Sequence, residues 1–157
     1  MAKVFDARRA IYVPATGGHP KNTEYRVAWG YEQWSKPTAV TKIQMVYNNK
    51  IAGMLSPSYP DGTIDEATVI SALKLIKDGM GTNSKKSKQV LVRKALEEGK
   101  SKDDIVDLTE NELFEMHVEI NVKKGATISP MVSVELMREK KIEDNILEML
   151  FAVEIVN

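Results

Sequence analysis

The sequence predicts an α+β domain with strands at its two ends and helices between them. Three observations carry that prediction. Residues 25–31 alternate apolar and polar, and residues 40–47 are rich in β-branched side chains, as strands are. Residues 63–79 place apolar side chains at helical spacing. From Phe114 to Val122 the period returns to two. The expected architecture is an N-terminal β-rich segment packed on a central amphipathic helix over about 63–79. Short helices follow over about 85–113, then C-terminal strands and a helix. Residues 1–157 are read as one domain, with a split into two lobes near 79–84 as the alternative.

The N-terminal elements follow from alternation and turn chemistry. Phe5, Ala7, Arg9, Ile11 and Val13 would share one side of a strand over 3–13, with Arg9 interrupting an apolar face. Residues 14–23 hold Gly17, Gly18, Pro20 and Asn22 and read as a loop. Tyr25, Val27, Trp29 and Tyr31 alternate with Arg26, Ala28, Gly30 and Glu32 in a second strand. Gly30 there points to a bulge or a close backbone approach. Pro37 breaks the pattern. Residues 40–47, the turn Asn48-Asn49-Lys50 and the continuation over 51–55 read as a hairpin.

The central helix has Thr63 and Glu66 at capping-box spacing and acids in its first turn. Lys74 and Lys77 stand near its end, and Gly79 can stop it. Its apolar face is Val69, Ala72, Leu73, Leu75 and Ile76. Ser84 would cap a helix over about 85–98, and Ser101 a short one carrying Ile105, Val106 and Leu108. Thr109 with Glu112 would open a third. Phe114, Met116, Val118, Ile120 and Val122 would form a strand ending at Lys124-Gly125. Residues 129–138 lean to strand. Residues 140–150 read as helix, with Phe151, Val153 and Ile155 finishing it or forming a last strand.

Composition removes several classes of function. Lys plus Arg and Asp plus Glu both number 22, so no whole-molecule attraction to polyanions exists. There is no Cys, which excludes disulfides, thiol catalysis and cysteine-based zinc sites and suits a cytoplasmic protein. The N-terminal residues have no apolar signal core, and no run nears the ~18 apolar residues of a membrane span.

Four constellations are candidates for function. Tyr25, Trp29, Tyr31 and Trp34 cluster within ten positions, either as a partner-binding aromatic surface or as core beside the central helix. Residues 95–106 have the outline of a helix-turn-helix, and Lys85, Lys86, Lys88, Arg93 and Lys94 before it could meet phosphates. Against that, Glu110, Glu112, Glu115 and Glu119 would repel a nucleic-acid groove. Glu115, His117 and Glu119 would share one strand face as an acid–base or metal set, or as a solvated polar row. Finally, eight methionines and the apolar run 146–156 suit an adaptable interface or self-association.

No nucleophile elbow, phosphate loop, dinucleotide motif or paired metal-binding histidines occur. The sequence therefore points to a non-catalytic binding protein without cofactor or metal. Its partner would be another protein, itself included, with a nucleic-acid-associated regulator as the alternative.

Overall fold

The computed structural model describes residues 4–84, 86–122, 125, 127–142 and 145–156. In chain order the elements are β1 (Phe5–Pro14), β2 (Thr23–Gln33), β3 (Pro37–Tyr47), β4 (Lys50–Ala52) and α1 (Asp65–Lys77). They continue with β5 (Ser87–Ala95), α2 (Lys102–Asn121), β6 (Met131–Ile142) and β7 (Ile146–Val156). The fold is α+β. Among the described residues, the strands form one seven-stranded sheet of order β4-β3-β2-β1-β5-β7-β6. Only β1 and β5 run parallel; the other neighbours are antiparallel. The two β-rich ends of the chain thus meet at β5, which pairs with β1 on one side and β7 on the other.

The two helices cover opposite faces at opposite ends of that sheet. α1 buries Val69, Ala72, Leu75 and Ile76 against Ile11, Val13, Tyr25, Val27, Met45 and Leu91. α2 buries Ile105, Val106 and Leu113 against Val90, Val92, Leu147, Met149, Phe151 and Val153. Leu91 belongs to the first core and its neighbours Val90 and Val92 to the second, because successive strand residues point to opposite faces. On that face α2 reaches β2 at its Glu24 end, through His117 and Lys88, and a hollow lies beyond it along β1, β2 and β3.

The central helix lies where its apolar face predicts, and Gly79 stops it with φ 94°. Its start differs from expectation. Ile64 holds the N-cap position without a side-chain bond, and the Thr63 hydroxyl donates to Pro60 O instead (2.8 Å). Asp65 is turned inward, accepting from the Thr16 backbone N–H (3.2 Å), the Thr16 hydroxyl (2.5 Å) and the Tyr25 hydroxyl (2.8 Å). The helix is tied to the sheet at its other end too. Arg9 donates to the carbonyls of Ile76 (2.8 Å) and Met80 (3.2 Å), which explains a cation on an apolar strand face.

The β3–β4 hairpin follows its turn chemistry. Asn48 and Asn49 both take positive φ, 47° and 69°, as a two-residue hairpin turn requires. The second arm, β4, is only three residues long. Gly30 fulfils both readings of a strand glycine. The β1–β2 register shifts between Ala7 and Arg9, and a Cβ at residue 30 would run into Asp6 O and come within 2.8 Å of Ala7 Cα. That bulge flips the phase of β1, so Phe5 and Ala7 lie on the opposite face from Arg9, Ile11 and Val13. The expectation of one common side fails there.

Three further expectations are corrected. Residues 87–95 form a strand, not a helix. Val90, Leu91 and Val92 are buried on alternating faces, and a strand covered on both sides loses its alternation. Residues 102–121 form one continuous helix in place of a short helix, a second cap and a strand. Ser101 does cap it, in a box with Asp104. Thr109 caps nothing and donates back to Ile105 O (2.7 Å). The buried stripe is Ile105, Val106, Thr109, Leu113, His117 and Ile120, and a polar His in it disguised the period. Lastly, residues 140–142 and 146–150 are strand, not α-helix. They finish β6 and open β7, with Asn145 at φ 57° between the strands. Residues 123 and 124, where a strand end was expected, lie outside the described residues.

Candidate functional site

The aromatic cluster on β2 divides between core and surface. Tyr25 is fully buried, stacks on Tyr59 at 5.2 Å and hydrogen-bonds Asp65. Burial first, and then the Asp65 carboxylate, push its phenol pKa up. Its side chain lies in the core beside α1. Trp29 packs on the α1 core with the Arg9 guanidinium 4.5 Å from its ring centre, and Tyr31 meets it edge-on. Trp34 stands apart, 60% exposed beyond the end of the strand.

The basic run does not form a helix surface. Lys88 is buried against Glu24, Arg93 pairs with Glu148 on the other sheet face, and Lys94 pairs with Glu112 of α2. Lys86 is exposed, and Lys85 lies outside the described residues. Three of the four described cations are therefore already matched to carboxylates.

The trio Glu115, His117 and Glu119 is likewise separated, because a helix sends alternate residues in different directions. Glu115 is exposed, and Glu119 pairs with Lys21 across the surface (3.0 Å). His117 points inward and is fully buried. Its Nδ1–H donates to Leu113 O (2.7 Å), since a carbonyl can only accept. Nε2 is then a free acceptor and receives a proton donor from Lys88 Nζ (3.0 Å). The same ammonium donates to both oxygens of Glu24 (3.1 and 3.3 Å) and sits 4.2 Å from the centre of the Tyr12 ring. Burial, then the Lys88 charge, lower the His117 pKa to about 4, against the pull of the Leu113 carbonyl. The imidazole is a neutral strut between α2 and the sheet.

Beside this cluster lies a hollow of about 620 Å³ on the same sheet face. A smaller one of about 290 Å³ adjoins it and shares Tyr12 and Ile51. Tyr12, Arg26 and Gln44 are direct neighbours across β1, β2 and β3, so strand register alone brings them into one row. Ala10, the next residue of β1 on that face, carries only a methyl group and also lines the hollow. The side walls are the loop at Thr82–Ser84 and the Gly53–Met54 end of the hairpin. Arg26 donates from Nε to the Tyr12 hydroxyl (3.2 Å) and from Nη1 to Gln44 Oε1 (2.8 Å). Among the described residues, no carboxylate lies within ion-pair distance of it. Lys42 at the same wall is held by Glu32 (2.8 Å). Val4, Ile51 and Met54 form an apolar rim, Met54 being 97% exposed.

Sequence reasoning passed over this row. Arg26 and Gln44 sit at the off-phase positions of their strands, between the aromatic and β-branched residues. The hollow lies beyond the reach of α2, and helix placement is a tertiary fact. Among the described residues no helix is long and apolar enough to cross a membrane. No protein-family model, curated protein or solved structure matches the chain.

Proposed function

We propose that the chain is a non-catalytic binding protein whose interface is the hollow along β1, β2 and β3. Its partner is another protein, a second copy of this chain included. The observation that carries this reading is an apolar rim of Val4, Ile51 and Met54 around an arginine with no carboxylate partner among the described residues. Exposed apolar side chains around an Arg are the composition of interface anchors. The groups best suited to acid–base chemistry support binding over catalysis. Glu24 and His117 are both engaged by Lys88. The pairing of Lys88, Arg93 and Lys94 with carboxylates favours a protein over a nucleic acid.

A photo-crosslinking residue at position 54, in the cells that make the protein, tests the proposal. A discrete adduct from position 54 is expected, and none of the same mass from position 70, exposed on α1 at the other face. An adduct of twice the chain's mass identifies a second copy. Equal labelling from both positions, or none from 54, refutes the proposal.

A further inference from the structure

The polar groups of the hollow share one character. Arg26 has only donors, and two of its nitrogens are spent on Tyr12 and Gln44. Those two bonds fix the guanidinium plane and leave Nη2 without an acceptor among the described residues. They also orient the neighbours. The Tyr12 oxygen accepts from Arg26, so its own O–H is free to donate outward. Gln44 accepts through Oε1, so its Nε2 amide is turned the other way, towards Gly53, where a Cβ would lie 3.7 Å from it. Burial pushes the Tyr12 phenol pKa up, so the proton stays on. The remaining charged groups of the wall are matched: Asp6 to Arg8 (2.9 Å), and Lys42 to Glu32. Ser84 Oγ already accepts from the Lys86 backbone N–H.

We propose that Arg26, Tyr12 and Gln44 form a seat for a carboxylate, so that the partner enters the hollow with an acidic side chain or a chain-end carboxylate beside an apolar residue. The inference rests on the hollow being the interface. A planar anion matches a guanidinium held in plane by two flanking bonds, with the phenol as a second donor. The adjoining apolar surface of Phe5, Ala7, Ile51 and Met54 takes the neighbouring apolar group. Arg26, on the floor of a partly enclosed hollow, meets its anion out of bulk water, where a charged hydrogen bond counts for more.

Three probes test the seat: octanoate, octanol and inorganic phosphate, titrated against the full chain while the Arg26 Nε–H resonance and the backbone amides of residues 12, 26 and 44 are followed. Octanoate is expected to shift all four signals in a saturable way, and octanol to leave Arg26 Nε unmoved. Arg26→Gln should weaken octanoate binding about tenfold or more, the loss of one charged hydrogen bond. Gln44→Glu is the second variant, since a carboxylate placed beside Arg26 from within occupies the seat without leaving the cation unpaired. It should remove octanoate binding while the chain stays folded. Equal shifts with octanol, phosphate shifts equal to those of octanoate, or no response to any probe overturn the carboxylate assignment. An adduct from position 54 that survives Arg26→Gln leaves the interface standing and removes the seat. Octanoate binding without any such adduct removes the protein interface instead.

Discussion

His117 is one residue through which acid should weaken this fold. In the native chain its imidazole is neutral, with a pKa lowered to about 4 from an ordinary 6.5, by burial and by the Lys88 ammonium at 3.0 Å. An unfolded chain loses both influences and titrates near the ordinary value. Between those two values the unfolded state holds the proton and the native state refuses it. Stability must therefore fall as pH falls through 6.5 towards 4, and level off for this group below that. The full shift corresponds to about 3 kcal/mol, and the part lost between about pH 7 and about pH 5 is about 2 kcal/mol. Urea unfolding at a series of pH values measures it, with His117→Gln as the reference. Glutamine can accept from Lys88 and donate to Leu113 but cannot titrate, and shared carboxylate effects cancel in the difference. The wild-type curve should fall more steeply than the variant's by that amount. Parallel curves would show that His117 takes up its proton as readily in the native chain as in the unfolded one, and the account of the buried cluster would fail.

Three other perturbations probe the fold and its surface. Glu24→Ala leaves the Lys88 ammonium buried beside a neutral imidazole and should cost about 3–5 kcal/mol in urea unfolding, whereas adding Lys88→Met to it should recover most of the loss. Gly30→Ala drives a methyl into the β1 bulge at Asp6 and Ala7, and a melting curve should register a loss of about 1–3 kcal/mol. Trp34→Ser, at an exposed position past the end of β2, should change stability by less than about 0.5 kcal/mol and leave an adduct from position 54 intact.

How far the sequence could be read depended on what covers each element. α1 was legible because only one of its sides is buried, and β2 because Tyr25, Val27 and Trp29 share one face while charges occupy the other. β5 and β7 were misread for a common reason. Both lie inside the sheet under side chains from both faces, so Val90-Leu91-Val92 and Leu147–Phe151 are unbroken buried runs that a helix would also permit. α2 failed differently. His117 and Thr109 occupy its buried stripe, and their polarity broke the helical period while Phe114, Met116 and Val118 supplied a false alternation. The candidate site was the least legible part. Tyr12, Arg26 and Gln44 come from three strands and are joined only by register, and Glu24, Lys88 and His117 are joined across 93 positions of sequence by the docking of α2.

Oxidative footprinting of the methionines tests the proposed interface most directly. Met54 and Met131 are exposed by 97% and 73%, at the rim of the hollow and on the outermost strand β6, while Met45 and Met149 are fully buried and serve as unreactive references. In the purified chain at high dilution, Met54 and Met131 should both oxidise readily. In the extract of the cells that make the protein, Met54 should become protected while Met131 remains reactive. Protection of Met131 with Met54 still open would move the interface to the β6 edge and contradict the assignment to the hollow.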